Sequence, residues 1–420
     1  MKKSLLIIIL ALLGAVAYMQ NSSRSKRLTA GAASRELLLP DLKPKAQSIK
    51  KLRLKEGEKT LTLTQKDKQW VVNERSDFPA AAEKIGNAVR ELLDQKAGKP
   101  QPVGESAWGD VKLLAPGKGD AAQTGMLVEF LDEKDALLQS LILGSNVETS
   151  KAGGNSSPFG GGGASERYAR LDSDGNTVWT VGNQFYELQP NPADWLLKEF
   201  VNIDKIQSIE VTSPIAADSW KASRKDENAT DYMLDGSKDL VDSSKATITG
   251  YMASASFNDV LTKDKMTADL MKDSWNMVIK TFDGFTYGLR TVKQGTDADD
   301  KHLLTLSVKG DFPKERPAVK DEKPEDKKKA DEEFTNKMKT LNDKLTKEKK
   351  LEGWVFEVSG YSVNTLLKKR SEVVKVATEA KENQDGSSTL PLKVDPAPSN
   401  TTSPPTSVTT PPVSVPPVSK

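Results

Sequence analysis

The chain has 420 residues, enough for two or three domains of ordinary size. Charged residues make up 29% and apolar ones 36%, and a formal net charge of +2 gives no electrostatic argument for nucleic acid. There is no cysteine, which excludes disulfides, thiolate metal sites, a cysteine nucleophile and lipid attachment at an N-terminal cysteine; the single histidine, His302, removes most histidine-based metal sites and proton relays.

Met1 to Lys3 is a short basic start, and Leu5 to Met19 is almost wholly apolar. Fifteen residues at a rise of 1.5 Å cover about 22 Å, short of the ~30 Å hydrocarbon core. The length fits a signal-peptide core with Ala15-Val16-Ala17 as its small-x-small cleavage site. It also fits a short uncleaved anchor with Tyr18 at the interface, the reading adopted here for residues 1–20. Either one implies export. Residues 21–36 read as a polar linker.

A first unit is expected over residues 37–200. Ile49, Leu52 and Leu54 read as a strand, and Thr60 to Thr64 alternates with period two, as a half-buried strand does. Lys66-Asp67-Lys68 is a turn into a strand at Trp70 to Val72. Pro79 sits where helices begin, and Ile85, Ala88, Val89, Leu92 and Leu93 line one helical face that Gly98 and Pro100 terminate. Met126 to Phe130 with Leu137 to Leu143 forms a hairpin, and Tyr168 to Leu171 with Thr177 to Val181 forms another around Asp174-Gly175. Phe185 to Leu188 is expected as the closing strand, followed by a short helix through Trp195, Leu196 and Leu197.

The order then recurs over residues 201–376. Ile206, Ile209 and Val211 match Ile49, Leu52 and Leu54 at constant spacing, and Tyr232 to Leu234 answers Trp70 to Val72. A helix is expected around Ile248, Met252 and Ala255, ending near Leu261. Val278 and Ile279 match Leu127 and Val128, and Gly295 matches Gly144. The closing piece aligns Tyr186 with Phe356, Glu187 with Glu357, and Leu196 and Leu197 with Leu366 and Leu367. The expected fold is therefore α+β: two tandem repeats of antiparallel sheet plus helix, behind an N-terminal membrane-anchor helix. The surplus length of the second unit is matched to the glycine-rich loop Lys151 to Ser165 in the first and to a charged arm over 313–350 in the second. In that arm Phe334, Met338, Leu341 and Leu345 make a two-heptad apolar seam. Two heptads are too few for a free coiled coil, so the arm is expected to fold against its own domain rather than dock a partner. Residues 377–420, rich in Pro, Ser and Thr, are expected to form a disordered tail.

Chemistry is harder to find. Gly153-Gly154 and Gly160 to Gly163 lack the Lys-Ser/Thr and following helix of a phosphate-binding loop. Asp172-Ser173-Asp174-Gly175 opens like a calcium loop, but Asn183 stands where the bidentate Glu belongs, so a β-turn is expected. No Gly-x-Ser-x-Gly elbow supplies a nucleophile for His302, which reads as a strand-edge histidine. Glu187 and Glu357 are the best carboxylate pair for hydrolysis, because the alignment puts them in equivalent positions. Trp70, Trp179, Trp195, Trp220, Trp275 and Trp354 fit a core better than a sugar-stacking platform. No catalytic, cofactor-binding or metal residue is assigned, and no cofactor is expected.

The Leu37 to Leu42 start, the Ile-x-x-Leu-x-Leu strand, KDKQWVVNE, FPAAAEKIGNAVRELL and the closing YSVNTLLKKRSEVV resemble the bacterial family named domain of unknown function 4340, over about Leu37 to Val376. The resemblance implies a membrane-anchored envelope protein with a repeated α+β domain. It would be single-pass in the bacterial inner (cytoplasmic) membrane, with the bulk of the chain extracytoplasmic or periplasmic. Such proteins are often encoded beside ABC-type transport components of the gliding-motility kind, which makes an ABC-type permease or ATPase, or gliding-like auxiliary proteins, the expected partners. The family lends no catalytic residues. The function expected is a non-catalytic accessory or scaffold subunit; the alternatives are a wall- or glycan-binding module and a carboxylate-based hydrolase.

Overall fold

The computed structural model describes residues 37–375 except for residues 99, 148–165, 173–176, 296–299 and 320–321. The expected anchor at 1–20, the linker at 21–36, the glycine loop, the Asp174-Gly175 turn and the tail at 377–420 lie outside the described residues. Among the described residues, no helix is long and apolar enough to cross a membrane.

Period-two alternation builds a first antiparallel sheet. Its strands are β1 (Lys51–Glu56), β2 (Lys59–Lys66), β3 (Gln69–Val72), β4 (Phe78–Pro79), β5 (Met126–Leu131), β6 (Leu137–Asn146), β7 (Arg167–Leu171) and β8 (Val178–Val181). Leu52, Leu54, Leu61 and Leu63 are fully buried on one face, while Thr60 and Thr64 stand half-buried on the other. Asp67 (φ 47°) and Lys68 (φ 67°) both adopt left-handed backbone between β2 and β3, giving a two-residue turn whose twist suits a hairpin. Helix α1 (Ala82–Asp94) buries Ile85, Ala88, Leu92 and Leu93 in the core of this half.

A second sheet follows, made of β9 (Ile206–Thr212), β10 (Trp220–Ser223), β11 (Met233–Leu234), β12 (Asp259–Leu261), β13 (Trp275–Thr281), β14 (Phe285–Gln294), β15 (Lys301–Gly310) and β16 (Val355–Ser359). The first sheet has the order β4-β3-β2-β1-β5-β6-β7-β8, and the second β11-β10-β9-β13-β14-β15-β16-β12. Strand for strand, β1 to β3 answer β9 to β11, and β5 to β8 answer β13 to β16. The registers agree: Leu54 lies opposite Leu61 and Val128, and Val211 opposite Trp220 and Met277. The edges are finished alike. Ala81 N–H donates to Trp195 C=O at 2.8 Å and Leu197 N–H to Pro79 C=O at 2.8 Å. In the second sheet Asp242 N–H donates to Val373 C=O at 2.8 Å and Lys375 N–H to Leu240 C=O at 2.9 Å. At the opposite edges Gly98 N–H donates to Thr180 C=O at 2.7 Å, and Asn258 N–H to Glu357 C=O at 2.7 Å.

These bonds correct the expected alignment in several places. Phe356 answers Trp179, not Tyr186, because Ala169 faces Trp179 where Leu304 faces Phe356. Val373 and Val374, rather than Leu366 and Leu367, answer Trp195 and Leu196. Met277, not Ile279, answers Val128; a two-residue shift keeps the same face toward the core, so hydrophobic pattern alone does not detect it. Residues 185–188 form a turn instead of a closing strand. Phe185 takes a left-handed conformation (φ 52°), and its N–H donates to the Asn183 side chain at 2.9 Å. The helix expected from Ile248 to Leu261 is a run of turns ending in β12: Gly250 (φ 75°) and Met252 (φ 61°) are incompatible with helix, although Ile248, Tyr251 and Met252 are buried.

The glycine loop and the charged arm also sit on different connections. The former lies between β6 and β7, and the latter between β15 and β16. After the short α2 (Ala268–Lys272), the arm forms α3 (Pro324–Lys349), whose Met338, Leu341 and Leu345 pack with Phe312 on the main core. That core runs without a break through both halves. The outer face of each sheet carries a smaller cluster. Leu113, Ile142 and Val178 are covered by Trp108 and Val111, and Val292, Leu303 and Val355 by Met266 and Leu270.

Candidate functional site

The two sheets meet where the turn after β3 reaches β12 and β16. Residues 73–75 form a single 3-10 turn, and Ser76 closes it in left-handed backbone. This aims Arg75 across the junction. Its Nε and Nη2 donate to the two carboxylate oxygens of Asp259, each at 2.7 Å, a bidentate geometry that only a planar guanidinium offers. The hydrogen bond to Asp259 raises the Arg75 pKa above its ordinary value against the opposing effect of burial. Beside it Glu357 pairs with Lys301 at 3.3 Å. Lys198 donates to the carbonyl oxygens of Asn258 at 2.6 Å and Phe257 at 3.3 Å, with its ammonium 4.7 Å from the Phe257 ring centroid. Burial lowers the pKa of that ammonium.

Under the charges lies an aromatic cluster. Phe78 meets Trp354, Phe257 and Phe356 edge-on, at centroid distances of 5.0, 5.8 and 6.1 Å, and Phe200 packs on Phe356 at 4.8 Å. A crevice of about 420 Å³ opens beside it, lined by Ser76, Leu261, Thr262, Glu352, Gly353 and Trp354. Chemically the junction is a clasp: its main cations are met by carboxylates or carbonyls, and its rings are met by rings. Among the described residues, no group of His, Asp and Glu is arranged to hold a metal ion.

The residues singled out from sequence do not gather here as a set. Glu187 is exposed in the turn after β8 and lies 3.5 Å from Lys84, whereas Glu357 is in β16 and answers Thr180. They are not equivalent positions. His302 is not at a strand edge: it lies in β15, opposite Lys293 of β14 and Val358 of β16, and is buried. Trp195 and Trp220 are core residues whose indole N–H groups donate to Gln189 C=O at 2.8 Å and Lys368 C=O at 2.9 Å. Trp70, Trp179, Trp275 and Trp354 are half-buried against the core, and Trp354 alone of these lines the crevice.

Two features escaped sequence reading. The Arg75–Asp259 pair has no local signature, since its partners are 184 residues apart. The other is a buried polar knot at the foot of α3. Glu348 accepts from Tyr287 Oη–H at 2.8 Å and from Asn202 N–H at 3.2 Å, and pairs with Lys344 at 3.6 Å. Burial and then Glu348 push the Tyr287 phenol up. A signal existed for this one: Glu348 continues the 4, 3, 4 spacing of the apolar seam.

Residues 70–272 match the family model described as Domain of unknown function (DUF4340). That stretch, just under half of the chain, is similar to the DUF4340 family. The match is narrower than the resemblance read over Leu37 to Val376. It runs from β3 of the first sheet to the end of α2 in the second and so spans the junction. Within the DUF4340 stretch lie Arg75, Phe78, Phe257 and Asp259; Trp354 and Phe356 lie beyond it. No curated protein and no solved structure matches the chain.

Proposed function

We propose that this protein is a non-catalytic, membrane-anchored envelope protein, an accessory or scaffold subunit of an ABC-type or gliding-like membrane transport complex. Residues 1–20 hold it in the bacterial inner membrane, and the units at 37–200 and 201–376, two copies of one ancestral repeat, stand outside the cytoplasm. The observation that supports this most is the junction. Arg75, Asp259 and the Phe78 cluster are used to lock two sheets that share a seven-strand order into one body, as a rigid spacer or platform requires. The helical arm α3 is likewise fastened down by Leu341 and Glu348, leaving its opposite, charged face to solvent.

The test is in-cell crosslinking of the full chain followed by mass spectrometry. Permease and ATPase peptides recovered with it are the expected result; recovery of abundant bystander proteins alone overturns the reading. A second reading, a glycan-binding module, draws on half-buried Trp354 beside Ser76 and Glu352 in the crevice. Retention of the protein on purified wall material, lost in Trp354→Ala, favours it over the first.

A further inference from the structure

His302 is the one histidine of the chain, and it is 4% exposed on the inner face of the second sheet. Neither ring nitrogen has a hydrogen-bond partner. Cross-strand partners in an antiparallel sheet share a face, so its lateral neighbours there are Lys293 of β14 and Val358 of β16. Leu304 follows it along β15 on that face, and Thr291, two positions back along β14, offers a hydroxyl but no charge. Glu357 and Lys301, the nearest charged residues along β16 and β15, alternate onto the other face. Among the described residues, the anion whose field reaches the imidazole is Asp300.

Asp300 is already engaged. Its carboxylate Oδ1 accepts from Asn364 Nδ2 at 3.0 Å, and its carbonyl accepts from Gly360 N–H at 2.7 Å. Both bonds hold α4 (Gly360–Val363), the turn that carries Tyr361, which is 90% exposed. The approach is so close that a Cβ on Gly360 would sit 1.8 Å from Asp300 Oδ1. The first sheet indicates what a charge at this place requires. Arg167, the residue that answers His302, donates to the carbonyls of Gly144 at 2.7 Å, Gln184 at 3.0 Å and Leu143 at 3.4 Å. His302 has none of these acceptors.

We infer that His302 is a pH-sensitive latch: when the imidazole takes a proton, Asp300 turns from Asn364 to the imidazolium, and α4 with Tyr361 is released from the end of the second sheet. The neutral ring fits an apolar face, whereas an imidazolium there is a buried cation near the exposed Lys293 and is drawn to Asp300, the anion that acts on it among the described residues. Burial first, with Lys293 adding to it, moves the titration below the ordinary histidine value, against the pull of Asp300.

The experiment uses the full chain, with a histidine proton resonance assigned without ambiguity because there is one histidine. Amide exchange is followed between pH 7.5 and 4.5 after correction for its intrinsic pH dependence. The expected result is a loss of protection of about tenfold or more at Gly360 and Asn364, following the His302 titration, with the first sheet unaffected. The loss disappears in His302→Gln, and Lys293→Met moves its midpoint to higher pH. If His302→Gln fails to fold, the Lys293→Met shift alone decides. The latch is overturned if the same loss of protection persists in His302→Gln, if Lys293→Met leaves the midpoint in place, or if His302 titrates while the amides of α4 stay protected.

Discussion

The guanidinium of Arg75 and the carboxylate of Asp259 form a two-pronged hydrogen bond, 2.7 Å on each arm, that joins the first sheet to the second across 184 residues of sequence. Both side chains keep about a fifth of their surface exposed, so the pair is neither a screened surface contact nor a dry interior one. Charge-assisted bonds of this kind are worth about 1.5–3 kcal/mol when well shielded, and residual exposure brings that down. Denaturant unfolding of Arg75→Ala, Asp259→Ala and the double variant should therefore give a coupling of about 1–2 kcal/mol. A coupling near zero would mean that the ion pair merely decorates a junction held by the rings.

Phe78 is the ring that the junction is built around, touching Trp354, Phe257 and Phe356 from the other half. Its replacement by alanine should destabilise the protein by about 3–5 kcal/mol. The effect should also be visible in cooperativity. The parent should unfold in urea as one transition, and Phe78→Ala should separate the two sheets into two. Phe78→Leu, which retains apolar volume, should keep the single transition at lower stability. A single transition in Phe78→Ala would show that the remaining junction contacts, the Arg75–Asp259 pair among them, couple the halves without the ring.

The sequence makes the strands legible and their register much less so. Leu52, Leu54, Leu61 and Leu63 alternate with polar residues, so β1 and β2 could be found from period alone. The same logic matched Trp70 with Tyr232, as the backbone bonds of Ala80 and Val241 to their carbonyls do. It failed wherever a shift left the pattern intact: Met277 and Ile279 are both buried on one face, and only the bond ladder chooses between them. It failed again at Ile248 to Met252, where apolar spacing looked helical but two left-handed residues dictate turns. The junction was invisible because the contacts that define it, Arg75 to Asp259 and Phe78 to Trp354, are long-range pairings with no periodic trace.

Glu348 makes a sharper test of the arm. It is a buried carboxylate with three partners, one each from β14, the segment before β9 and its own helix. Lys344, which also donates to Asn202 C=O, lies 4.9 Å from the Phe285 ring centroid, so the knot and the aromatic face under α3 are one assembly. Glu348→Ala leaves the Tyr287 hydroxyl, the Asn202 amide and the Lys344 ammonium short of an acceptor and should cost about 3–5 kcal/mol. Glu348→Gln keeps an acceptor and should cost less than half of that. Limited proteolysis reads the consequence directly: cleavage within 324–349 should become fast in Glu348→Ala while the first sheet stays intact. Equal resistance in both variants would mean that Leu341 and Leu345 hold the helix without help.

Global stability should carry the mark of His302 as well. Its pKa in the folded protein lies below the value of 6.5 that applies when the chain is unfolded. The unfolded state therefore takes up the proton first as pH falls, and the free energy of unfolding decreases with it. The sign follows: the contribution is fully present above about pH 7, starts to fall near the unfolded value, and is lost as pH passes through the lowered folded value, below which both states are protonated and the slope vanishes. Carboxylates also titrate in the lower part of this window, so the quantity to measure is the difference between the parent and His302→Gln in urea unfolding at matched pH. That difference should be flat at high pH and should change in favour of the variant as the solution is acidified. A difference independent of pH from 7.5 to 4.5 would mean that the imidazole keeps its ordinary affinity for protons inside the fold, and that burial and Lys293 do not act on it as the structure indicates.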